Sequence, residues 1–231
     1  MKGRWLSVVL VLSVHGASAF AGGGQISEGT YSNLYVGISF PLPSAWYVAT
    51  DADVHTGLNG GARIAGFKSE KAKAMIANTR GKVLLWLLEH PLDGDYQGLD
   101  RNMIVAVIDA RTLPEQAKTG EDFLKLAVQG MKKYFPNDVS SGVLPQKLGG
   151  ASFHKLDLQS EREGTTIYQR MLAGVVNDYL FVITLGADNS RGLEELARLA
   201  DTVSFHNVTK AIDSSPDAES FRRGASIATG K

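Results

Sequence analysis

The stretch TTIYQRMLAGVVNDYLFVITLGA covers residues 165–187. It holds two runs rich in β-branched and aromatic residues, separated by Asn177-Asp178. Such runs read as strands, and a two-residue Asn-Asp connection joins them as a hairpin. Strands joined this way are antiparallel neighbours. An α+β chain with an antiparallel sheet fits this better than a doubly wound parallel one.

Working outward supports that class. Downstream, residues 190–205 (SRGLEELARLADTVSF) read as a helix, with Ser190 as N-cap and Leu193, Leu196, Ala197, Ala200 and Val203 as its buried stripe. Upstream, residues 151–161 (ASFHKLDLQSE) read as a strand entered through a turn at Leu148-Gly149-Gly150. Residues 120–135 form the clearest helix, because Phe123, Leu124, Ala127, Val128, Met131 and Phe135 recur every three or four positions. Thr119 with Asp122 three residues on marks its start, and Pro136 stops it. Residues 82–92 and 102–110 are apolar on both faces of the strand alternation, which calls for a sheet covered on both sides. The expected architecture is therefore α+β, an antiparallel β-sheet covered by helices on both faces.

The first part of the domain is less regular. Val36, Ile38 and Phe40 alternate with Tyr35, Gly37 and Ser39, so residues 35–40 read as a strand with the first three facing inward. Pro41 and Pro43 end it. Trp46 then reads as a core or rim anchor, with an exposed Trp46-Tyr47 ring platform as the alternative. Asn59-Gly60-Gly61 reads as a turn, residues 62–67 as a strand and 68–80 as a short helix.

The 231 residues include no cysteine, which removes disulfides, thiolate catalysis and cysteine metal sites together. Residues 1–19 read as a signal peptide: Lys2 and Arg4, an apolar run over 5–14, then Ala17-Ser18-Ala19, with cleavage after Ala19 or Ala21. The apolar run is too short to span a bilayer, which takes about 20 residues. No cysteine follows it to carry a lipid anchor. Losing Lys2 and Arg4 leaves 22 basic against 24 acidic residues, a net charge of −2. That balance offers no basic face for nucleic acid. Residues 20–30, with Gly22-Gly23-Gly24, read as a spacer, residues 31–208 as one domain, and residues 213–231 as a disordered tail. The expected location is the periplasm or beyond.

Tyr31, Asn33, Gly37, Phe40, Pro43 and Trp46 form a Y.n...G.sF..P..W pattern, and a late hairpin is followed by a helix and Ser204-Phe205. In these residues the chain resembles the PsbP-like superfamily, over about residues 31–205. The resemblance implies an antiparallel sheet between helices. It also implies an accessory, assembly or binding role, and it carries no shared catalytic set to transfer.

The chemistry-bearing residues are scattered. Asp51, Asp53 and His55 are spaced by two, so on an extended strand their side chains would share a face and could hold a divalent ion. His154 shares a strand face with Leu156 and Leu158, while Asp157 points the other way. His90 precedes Pro91 at a strand end and His206 follows the last helix, neither with a nucleophile beside it in sequence. The connection over 90–102 is long for a hairpin and carries Asp93, Asp95, Tyr96, Asp100 and Arg101, a negative patch suited to a cation or a basic partner. There is no Gly-x-Ser-x-Gly elbow, no His-Glu-x-x-His and no phosphate loop. No catalytic, cofactor-binding or metal-ligating set is assigned. The leading expectation is an exported, non-catalytic binding or assembly factor for an envelope protein. The alternatives are a metal-binding protein or metal-assisted hydrolase, and a periplasmic protein that binds a small ligand in a cleft between sheet and helices.

Overall fold

The computed structural model describes residues 24–50, 52–54, 81–92, 100–162 and 164–208. The expected signal peptide, the elements over 59–80, the tail, and Asp51, His55, Asp93, Asp95 and Tyr96 lie outside them. The described chain runs β1 (Gln25–Ser27), β2 (Thr30–Asn33), β3 (Ile38–Pro41), β4 (Tyr47–Val48), β5 (Gly81–Leu88), β6 (Asn102–Asp109), α1 (Gly120–Tyr134), β7 (Val139–Leu148), β8 (Ala151–Arg162), β9 (Thr165–Val176), β10 (Tyr179–Ala187), α2 (Ser190–Ala200) and β11 (Ser204–Phe205). The protein is α+β.

Seven strands form one antiparallel sheet in the order β4-β5-β6-β10-β9-β8-β7. After β6 the chain crosses to the far edge through α1. It then fills the sheet inward until β10 lies against β6, from Tyr179 opposite Asp109 to Gly186 opposite Asn102. Every residue of β10 is buried, as its apolar sequence, broken by Thr184 alone, requires. The β9–β10 hairpin turns on Asn177 and Asp178 with φ of 52° and 66°, left-handed values that short polar side chains tolerate.

Side-chain parity divides the core. Phe181, Ile183 and Leu185 of β10 join Met103, Val105 and Val107 of β6 and Leu193, Leu196 and Ala200 of α2. Leu180 and Val182 point the other way, to Phe123, Leu124 and Met131 of α1 and Leu156 and Leu158 of β8. A third cluster on that second side gathers Val54, Val83, Trp86, Leu88, Ile104 and Ala106. Helices thus cover both faces, as expected.

The first face also carries a second sheet, β1-β2-β3-β11. Residues 30–40, expected to open with one strand over 35–40, instead form a hairpin in which Ser32 faces Ser39 and Tyr31 faces Phe40. The reason is Asn33: its buried side-chain oxygen accepts from the backbone N–H groups of Tyr35 (3.1 Å) and Val36 (3.3 Å), which turns the chain. Val36, Ile38 and Phe40 are buried as expected, with Tyr31 beside them. Gly37 has φ +72°, and a Cβ there would lie 2.2 Å from the His206 carbonyl oxygen. Strand pairing begins at Gln25, inside the stretch read as a spacer. The last helix ends at Ala200 rather than running to residue 205. Ser204 and Phe205 leave it to pair with β3, and the Phe205 ring stacks on Phe153 at 5.5 Å and meets Phe181 edge-on at 5.2 Å. The α2 N-cap is Asn189, whose side chain accepts from Gly192 N–H at 2.8 Å, one residue before the expected Ser190.

Candidate functional site

Among the described residues, a connected group of charged side chains sits where β5 hands over to the connection that returns as β6. Two apolar strands end together there: Leu88 pairs with Asn102, and the Glu89 N–H donates to the Arg101 carbonyl at 3.0 Å, extending the ladder by one bond. Side chains then close the mouth. Asp100 accepts from the His90 backbone N–H at 3.1 Å through one oxygen and meets His90 Nδ1 at 3.0 Å through the other. Arg101 donates through Nε to Glu89 at 2.8 Å and through Nη2 to the second Glu89 oxygen, a bidentate pair. Its Nη1 reaches Glu195 of α2 at 2.5 Å, and Glu195 also holds Arg191 at 3.2 Å.

This geometry corrects the expectation for the 90–102 connection. Asp100 was read as surface charge, yet it is 8 % exposed and turned inward as a cap. Arg101 ties the mouth to α2 instead of facing a partner. The electrostatics follow from these positions. Removal from water pushes the Asp100 carboxyl up, against the hydrogen bonds from His90. The Arg101 guanidinium holds Glu89 below the usual carboxylate range, chiefly through its hydrogen bond. Arg101 and Arg191 likewise lower Glu195. Among the described residues, Glu89, His90 and Asp100 are the group that could offer donor atoms to a metal, with one such atom from each lying within 4.8 Å of the others.

The other singled-out residues fare differently. Residues 52–54 are helical, not the extended strand that the shared-face reading of Asp53 requires. Asp53 accepts instead from Tyr47 Oη (2.7 Å), Thr50 N–H (2.8 Å) and Thr50 Oγ1 (2.7 Å). The Asp53 backbone N–H donates back to Thr50 Oγ1 at 3.3 Å, the reciprocal capping arrangement. Those bonds, the one from Tyr47 first, draw the Asp53 carboxyl below its ordinary value. Trp46 packs on the first core cluster and Tyr47 on the third, so the two rings form no common platform. Half-buried Trp46 is a rim anchor.

His154 meets Glu121 of α1 at 3.5 Å, on the face of Leu156 and Leu158. Asp157, on the opposite face, takes both its oxygens to Arg170 at 2.6 and 2.9 Å, and Arg170 reaches Glu194 of α2 at 2.9 Å. His206 has no nucleophile beside it in sequence, and β3–β11 pairing brings the distant Ser39 Oγ to 2.7 Å from its Nε2. A hydrolytic triad also needs an acid on the other ring nitrogen. Among the described residues no acid is placed there. The pair is exposed and ties β11 to β3.

No family model matches the chain, and no curated protein matches it. Among solved structures it is similar to the solution structure of cyanobacterial PsbP (CyanoP) from Synechocystis sp. PCC 6803, at 12 % identity and TM-score 0.48 over 79 % of this chain and 96 % of that one. It is also similar to LpqN, involved in cell envelope biogenesis of Mycobacterium tuberculosis, at 17 % identity and TM-score 0.38 over 74 % and 83 % of the two chains. A third likeness is to a Pseudomonas aeruginosa protein of unknown function, PA94, at 15 % identity and TM-score 0.36 over 52 % and 76 %. At these values the likenesses assign no family. Among the described residues no helix is long and apolar enough to cross a membrane.

Proposed function

We propose that this chain is an exported, non-catalytic binding or assembly factor for another envelope protein, and that it docks through the end of the molecule where β5 and β6 meet. The observation that supports this reading is the double fastening of that end. One backbone bond, one histidine–aspartate contact and a bidentate arginine pair hold Glu89, His90, Asp100 and Arg101 on the sheet, and Arg101 carries the fastening on to α2. Their charges serve position. A strand end fixed in this way is a rigid platform for a partner, which lowers the ordering cost of binding.

The test is chemical cross-linking of the exported protein in cells, followed by mass spectrometry. The expected result is one dominant envelope partner linked near residues 89–101. A protein recovered monomeric, abundant and without links would overturn the reading. Intact mass of the same preparation checks export, with a mature chain expected to begin at Phe20.

A further inference from the structure

We propose that Glu89, His90 and Asp100 form a binding site for a divalent transition-metal ion of the Zn²⁺ class. One imidazole and two carboxylates make a donor set of intermediate softness, suited to such an ion and poorly suited to Ca²⁺ or Mg²⁺, which take oxygen ligands alone. The donors come from both strands at one end of the antiparallel ladder, so the backbone places them close together before an ion arrives. Glu89 is anchored by its N–H on Arg101, and His90 by its N–H on Asp100. His90 Nδ1 and Asp100 Oδ1 are 3.0 Å apart. Two ligands of a tetrahedral ion with bonds of roughly 2.0–2.1 Å stand about 3.3 Å apart, so this pair needs almost no movement. The third donor lies within 4.8 Å, and the Glu89 carboxylate, with the Arg101 side chain that holds it, has to move toward the pair to complete the set.

The surroundings supply what a ligand set requires. Arg101 grips the Glu89 carboxylate and fixes its orientation, as partners behind metal ligands do. Arg101 does not by itself neutralise the site. Glu89, Asp100 and Glu195 set against Arg101 and Arg191 leave a net charge of −1 with His90 neutral. Asp100 is buried with an imidazole as its one side-chain partner on these contacts, an arrangement short of positive charge that a cation completes. The His90 side chain is 41 % exposed, which leaves an entry path. Three protein ligands leave a fourth position for water or a partner's side chain. Asp53 takes no part in this site, because it is committed to helix capping. The site does not rest on the docking role, and a failed cross-linking search leaves the titration below unchanged.

The experiment is isothermal titration of the chelator-stripped full chain with ZnCl₂, accompanied by visible absorption of the Co²⁺-loaded protein. One equivalent of Zn²⁺ is expected to bind with a micromolar or tighter Kd, and Co²⁺ to give d–d bands that Zn²⁺ abolishes. His90→Ala and Asp100→Asn should each weaken binding by at least about tenfold, with His154→Ala as wild type. Affinity should fall on acidification, because the imidazole is then shared with a proton. Where Asp100→Asn fails to fold, Glu89→Gln together with the half-exposed His90→Ala decides the matter. No saturable binding by the wild type, or wild-type affinity in the His90→Ala variant, overturns the proposal.

Discussion

Single residues carry much of what makes this chain fold one way. Gly37 is the sharpest case, since its positive φ and its contact with the His206 carbonyl leave no room for a side chain. Gly37→Ala should cost about 1–3 kcal/mol from backbone strain alone, read as a lower urea midpoint. The charged residues at the β5–β6 mouth make a second prediction. Glu89 and Glu195 have their carboxyls lowered by Arg101. A lowered carboxyl stabilises the fold above its unfolded value, and that contribution is lost as pH falls through its folded value. Asp100, raised by burial, works in the opposite sense: its neutral form favours the fold as pH falls. Removing Arg101 releases Glu89 and leaves Glu195 held by Arg191 alone. Between about pH 7 and about pH 3, Arg101→Ala should therefore lose stability less steeply than the wild type. Equal slopes in pH-dependent urea melts would contradict this. These roles were invisible in sequence. Asp100 and Arg101 look like any loop charges until the ladder between Leu88 and Asn102 turns one inward and points the other at α2.

Secondary elements were legible wherever local periodicity and burial agree. The α1 stripe, the strand over 102–109 and the Asn177-Asp178 hairpin stand as read, and the strand read over 82–92 ends early at Leu88; the first three are fixed by residues only a few positions apart. Elements shaped by distant partners were not. Strand β7 has the sequence VSSGVLPQKL, with few inward apolar residues, a Gly142 at φ +82° and a register shift between Ser140 and Val143. It exists because β8 offers it an edge. Strand β11 is two residues long and looks like the end of a helix until Phe205 finds Phe153 and Phe181. Thr50 and Asp53 repeat the Thr-x-x-Asp pattern of Thr119 and Asp122, so the first helical turn had a signal that a metal-ligand reading obscured. Thr50→Ala and Thr119→Ala should each cost about 1 kcal/mol by urea denaturation. Leu124→Ala, at a fully buried position under α1, should cost about 2–5 kcal/mol. A loss at Leu124 no larger than at the capping threonines would mean that α1 is not a main source of the core's stability.

At the scale of the molecule, the sheet holds three apolar clusters together, and its polar groups divide into fasteners. Arg170 of β9 and Arg101, just before β6, each reach across to α2, through Glu194 and Glu195, from opposite sides of β10. Ser39 and His206 join the small sheet's last two strands. The fold class followed from one hairpin and two doubly apolar strands. The small sheet did not, because its β3–β11 pairing joins Ser39 to Ser204 across most of the chain. The same distance hid the Ser39–His206 contact, and burial hid the Asp100 cap. The docking role rests on one end of this assembly being the surface a partner meets. A photo-reactive amino acid placed at Leu92 in cells, with the exposed Gln129 of α1 as the control position, tests that most directly. One envelope protein should be captured from residue 92 and none from residue 129; capture from neither position, or equal capture from both, would rule the docking role out.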